Sequence, residues 1–212
     1  MKKIQTKKQM SWLQKLALCL LVLTVAGCAS VQAGINDSNF TPVSLTGVQH
    51  IGPDFNISDF YVNGTSGSNV GRGGGGGGIV CCVALPKKWH PDLAAEVRWA
   101  VGDWSKENLT ETAAGNYTSI TSEGVYKALV PVEKYEEPGK VYVHFFKGGK
   151  VRVVSGPFGY GSKEHPIQRD DSHAIENATA GTPIAALFTP EEQAESLRKF
   201  NENKKNGGDW RY

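Results

Sequence analysis

Between Gly139 and Pro157 the chain reads GKVYVHFFKGGKVRVVSGP, and this stretch decides the fold class. Val141, Val143 and Phe145 alternate with Tyr142, His144 and Phe146, the period of two that sends successive side chains to opposite faces of a strand. Gly148 and Gly149 permit the positive φ angles of a tight turn, and Val151 and Val153 resume on the return with Arg152 between them. Lys147 and Lys150 flank the turn, where water is available. The spacing predicts a β-hairpin.

Upstream, the same signals recur. GVYKALVPV (124–132) is a further apolar run, and in AEVRWAVGDW (95–104) Val97, Trp99 and Val101 alternate with Glu96, Arg98 and Ala100, the half-buried strand pattern. IVCCVAL (79–85) is continuously apolar, which suits a strand covered on both faces. VSLTGVQHI (43–51) and ISDFYVNG (57–64) hold enough β-branched and aromatic residues for two more strands, the second stopped by Asn63-Gly64. Between them and the cysteines lies NGTSGSNVGRGGGGGG (63–78), read as a mobile glycine arm with Arg72 as its one charge.

Downstream of the hairpin, residues 159–183 are polar and irregular. Thr189-Pro190-Glu191-Glu192 then forms a helix start, with threonine as N-cap, proline in the first turn and Glu192 placed to close a capping box. Ala194, Leu197 and Phe200 give it a narrow apolar stripe, and Glu195 and Lys199 are spaced to pair. The expected fold is mainly β, a β-sandwich or a twisted antiparallel sheet, with a C-terminal α-helix. One domain is expected over residues 44–212.

The N-terminus carries a targeting signal. Lys2, Lys3, Lys7, Lys8 and Lys15 precede an apolar run from Leu16 to Ala26, closed by Val25-Ala26-Gly27-Cys28. These are the parts of a secretory signal peptide, here residues 1–27. The run is shorter than the roughly 20 apolar residues that span a bilayer. Its ending resembles the bacterial lipobox, which implies cleavage between Gly27 and Cys28 and lipidation of Cys28. Ala29 follows, where an aspartate would signal inner-membrane retention; the resemblance therefore implies the periplasmic face of the outer membrane. Residues 28–43 read as the lipidated N-terminus and a flexible tether. The five lysines of the signal leave 18 basic residues against 21 acidic ones, so the +2 of the whole chain becomes −3 in the remainder. That balance supports no nucleic-acid partner.

The chemistry-bearing residues form no catalytic constellation. The glycine run lacks the lysine and hydroxyl that a phosphate-binding loop requires, and it opens a strand rather than a helix. Cys81 and Cys82 are adjacent, and their α-carbons across a trans peptide lie about 3.8 Å apart, below the usual disulfide window. This favours two buried free thiols over a mutual bridge or a bond to a second chain. Burial raises a thiol pKa, which argues against a nucleophile. Cys81, Cys82 and His90 lack the customary zinc spacing, and HPIQRDDSH (165–173) reads as a solvated loop. No enzyme activity, metal or cofactor is expected. Tryptophan and tyrosine are enriched where proteins bind one another. Trp104, Trp210 and Tyr212, together with Arg72, are therefore the candidate partner contacts, while Trp99 is assigned to the core.

The combination of the lipobox with Cys81-Cys82-Val83-x-Leu85-Pro86-x-x-Trp89, then Val97-x-Trp99, then PGKVYVHFFKGGKVRVV (138–154) resembles the DUF3304 family of small Gram-negative lipoproteins, over roughly residues 43–155. Some members of that family are immunity proteins against lipase effectors of type VI secretion. The resemblance implies a lipid-anchored periplasmic inhibitor of a phospholipase-type protein toxin, and it carries no catalytic residues. The alternative is a structural or assembly lipoprotein that binds cell wall or a secretion component.

Overall fold

The computed structural model describes residues 39–74 and 77–205. The readings that rest on the signal peptide, Gly27, Cys28, Trp210 and Tyr212 lie outside those residues. No helix among the described residues is long and apolar enough to cross a membrane.

The chain is mainly β with a C-terminal helix. The predicted hairpin is present as β7 (Lys140–Phe146) and β8 (Lys150–Gly156), with Val143 opposite Val153 and Phe146 opposite Lys150. Gly148 and Gly149 both take positive φ, 69° and 63°, as a tight turn of this hand requires. β7 also pairs in parallel with β1 (Phe40–Gln49), which on its other side pairs antiparallel with β4 (Val80–Pro86). With β9 (Thr179–Ala180) beside β8, the first sheet runs β4-β1-β7-β8-β9. The second sheet runs β10-β6-β5-β2-β3. Its strands are β2 (Phe55–Val62), β3 (Thr65–Ser66), β5 (Ala94–Asp103), β6 (Thr121–Pro131) and β10 (Thr182–Pro183).

One apolar cluster draws on both sheets. Leu45, Val83, Val143, Phe145 and Val153 come from the first, and Ile57, Phe60, Val97, Trp99, Val101 and Val130 from the second. Trp99 stacks on Tyr126 at 5.4 Å between ring centres and lies 5.9 Å from Phe145. Such ring pairs add about 0.5–1.5 kcal/mol to the area they bury. The other face of β7 and β8 is buried as well. Tyr142, Phe146, Val154 and Val48 pack under Phe158, Tyr160, Ile167, Ala174 and Ile175 of residues 157–178. The polar stretch after the hairpin is thus a cover for the first sheet, and both sides of the hairpin alternation are interior.

Four sequence expectations are corrected. The mixed first sheet contains a parallel pair, so a purely antiparallel sheet does not describe it. β1 begins at Phe40, four residues inside the span read as tether, because Phe40 to Val43 pair with Pro86 to Val83. β4 lies at the edge of its sheet, not in its middle; Cys81 is exposed, Cys82 half-buried, and the two are bonded to each other across a cis peptide. The glycine arm is tied down: Val70 exchanges backbone hydrogen bonds with Ile57, and Gly67 N–H donates to Phe60 O. Past the undescribed pair 75–76, Gly77 N–H donates to Gly47 O. Val70 is fully buried, and a Cβ at Gly67 would enter the Phe60 ring.

The C-terminal helix α2 (Pro190–Lys205) starts where the sequence places it. The capping box is formed reciprocally, Thr189 Oγ1 accepting from Glu192 N–H and Glu192 Oε2 from Thr189 N–H. Every residue of α2 is exposed. Glu192 holds it to the second sheet through two hydrogen bonds, each 2.8 Å long, from the Arg98 guanidinium.

Candidate partner-binding surface

Two of the four candidate contacts meet. The Arg72 guanidinium lies over the Trp104 ring, 4.6 Å from its centre, and Nη1 donates to Glu107 Oε2 at 2.6 Å. The geometry is built from both sides. On the arm, Gln49 is fully buried and its side-chain amide donates to Gly52 O and Phe55 O and, at 3.4 Å, to Gly71 O, beside Arg72. With Val70 inserted in the core just before it, Arg72 emerges from a fixed stem.

Trp104 follows the last residue of β5. Its backbone N–H donates to Asp54 O, and its indole Nε1–H donates to Asn56 Oδ1 at 2.8 Å. Gly102 allows this, since a Cβ there would collide with the same Asn56 oxygen. The chain then turns: Glu107 N–H donates to Trp104 O, and Asn108 caps the short helix α1 (Leu109–Ala113) by accepting from the N–H groups of Thr110 and Glu111. Next to it, Ser105 hydrogen-bonds the Asp103 carboxylate and holds its pKa below the usual range. Tyr117, on the loop after α1, sets its ring edgewise to Trp104 at 6.1 Å and 74°.

The outcome is a patch of fixed side chains carrying exposed apolar area. Tyr117, edgewise to Trp104, is 56 % exposed and is among the large exposed apolar side chains of the described residues. Arg72 is 43 % exposed at its side chain, and its charge is matched by Glu107, which is 13 % exposed. A cation over a partly exposed ring contributes about 0.5–1 kcal/mol, which adds to the Glu107 ion pair in favouring this position of Arg72. Tyr117, Glu107 and Asn56 were not legible as part of this surface. Tyr117 had a signal, an aromatic residue alone in the polar stretch AAGNYTSI.

The other chemistry-bearing residues lie elsewhere. Joined as a disulfide, Cys81 and Cys82 offer no thiolate. His173 is exposed, as the solvated-loop reading has it, and its Nδ1 pairs with Glu176; that bond raises its pKa. His165 corrects the same reading, being only 2 % exposed. Among the described residues no group of three or more histidine, cysteine or acidic side chains is arranged to hold a metal.

No curated protein and no solved structure matches the chain. Arg72, Trp104 and Tyr117 all fall within residues 53–153, the part of the chain that matches the model of a family described as protein of unknown function, DUF3304.

Proposed function

We propose that this chain is a lipid-anchored envelope protein that binds and inhibits a lipase- or phospholipase-type protein toxin. The Arg72–Trp104–Tyr117 surface is its contact. The observation that carries this reading is the patch itself, because rigid aromatic side chains next to an arginine are the composition of binding hot spots. The resemblance of the sequence around Gly27-Cys28 to a lipobox supports an address at the periplasmic face of the outer membrane, where a toxin acting on phospholipid works. Occlusion of the toxin's active-site mouth or membrane-docking face then suffices for protection. On this reading the two sheets stack as a sandwich that serves as a rigid support, and the protein performs no chemistry of its own.

The test uses the Cys28→Ser chain, soluble after export, and a lipase-type effector encoded beside it. Titration calorimetry is expected to show a complex, and phospholipid hydrolysis by the effector is expected to stop when the chain is added. No complex would sink the proposal. Retention on purified cell wall in its place would move the assignment to an assembly or structural lipoprotein.

A further inference from the structure

A cluster of three histidines lies where the cover formed by residues 157–178 meets the first sheet, two of them buried and His50 half-buried. His50 follows β1, His144 sits in β7 and His165 belongs to the cover. His50 Nε2 and His144 Nδ1 are 2.8 Å apart, and the His144 and His165 rings are centred 5.1 Å from each other. His144 is fully buried. His50 also stacks on Phe146 at 4.8 Å, and His165 stands edge-on to Tyr142 at 4.8 Å and to Phe158 at 4.9 Å. Imidazoles therefore stand in the seam between cover and sheet, where His165 meets His144 and Tyr142 beside the apolar contacts and the hydrogen bond from Tyr142 Oη to Phe158 O.

The polar atoms define the charge state. His165 Nδ1 lies 2.9 Å from Ile167 O, and Nε2 of both His144 and His165 is buried without a partner. An imidazolium needs an acceptor at each nitrogen, and those two have none.

The charged groups around the cluster divide: Arg152 opposes protonation of His50 and His144, while Asp171 favours it at His50 and Glu133 at His165. Arg152 stands opposite His144 on β8, and its only carboxylate, Glu133, is already engaged at Nε and Nη2. Asp171 of the cover acts on His50, Glu133 acts on His165, and Arg169 is spent over Tyr160. Lys140 lies over the Tyr142 ring. Burial keeps all three histidines below their ordinary pKa, His50 at about 4, and the neighbouring imidazoles and Arg152 lower His50 and His144 further.

We infer that the His50–His144–His165 cluster is an acid-operated latch: protonation releases residues 157–178 from the first sheet and bares the apolar face of Tyr142, Phe146 and Val154. Arg152 gives the latch its second catch. Its Nη1 donates to Ala174 O, so the same side chain that repels an imidazolium also holds the far end of the cover. The inference does not depend on the toxin reading.

Hydrogen exchange of the full chain, corrected for intrinsic rate, tests it between pH 7.5 and 4. Amides of 157–178 are expected to lose protection by about tenfold per pH unit per proton taken up, while β5 and β6 stay protected. In the His50→Phe/His144→Phe variant, which keeps the ring stack, that dependence is expected to flatten to a few-fold. Cover and sheets opening together at every pH, or an unchanged dependence in the variant, would overturn the latch. Should the variant not fold, imidazole resonances of the unaltered chain decide. Their titration without movement of the cover resonances is the overturning result.

Discussion

Trp104 depends on one oxygen. Its indole N–H is satisfied by Asn56, whose amide oxygen occupies the space that a side chain at Gly102 would take. Trp104→Ala is therefore expected to weaken partner binding by about 30-fold or more, as hot-spot truncations do, with strand content by circular dichroism unchanged. Gly67 gives a sharper structural test. A methyl there meets the fully buried Phe60 ring, so Gly67→Ala is expected to cost about 1–3 kcal/mol in denaturant unfolding. Stability equal to the original would show that the arm docks differently. Neither Gly67 nor Gln49 announces its role in the sequence: one hides in low complexity, and the other is a polar residue that ties the turn between β1 and β2 to the distant glycine arm.

At the scale of elements, legibility followed sequence distance. The β7–β8 hairpin and the start of α2 are local patterns, a two-glycine turn and a capping box, and both stand where the residues place them. The β1–β7 parallel pair joins residues a hundred positions apart, and no local signal encodes it. The cover was missed for a related reason. Its apolar contacts, Phe158, Tyr160, Ile167, Ala174 and Ile175, are spread through polar residues with no helix or strand period. Helix α2 is the least supported element, since an exposed helix of its length is marginal alone. The Arg98 hydrogen bonds hold the Glu192 carboxyl down at about 2. The pair therefore persists down to mild acid and is lost only as pH falls from the ordinary glutamate range toward 2. Glu192→Gln is expected to raise amide exchange across residues 190–205 with β5 unaffected. Equal exchange in both proteins would assign the helix another support.

For the whole molecule, the buried histidines set the direction of pH dependence. Their folded pKa values lie below the ordinary histidine value, so the unfolded chain binds more protons in that range. The stability they contribute is complete above pH 6.5 and is lost as pH falls through their folded pKa values, which for His50 is about 4. His173 runs in the opposite sense through Glu176, but it is exposed and its contribution is small. Calorimetry is expected to show a melting temperature lower by roughly 5–10 °C at pH 4.5 than at pH 7.5. A flat profile would mean that the imidazoles are hydrated in solution. The position of β1 adds a mechanical property. Lying between β4 and β7, it is gripped along both edges, and the chain ahead of Phe40 feeds straight into it. Any force applied through that leading segment is therefore delivered as shear on two ladders at once, one parallel and one antiparallel. Peeling from a free edge is not available to it. The same arrangement would let a body dragged by its N-terminal end bear the load without unravelling.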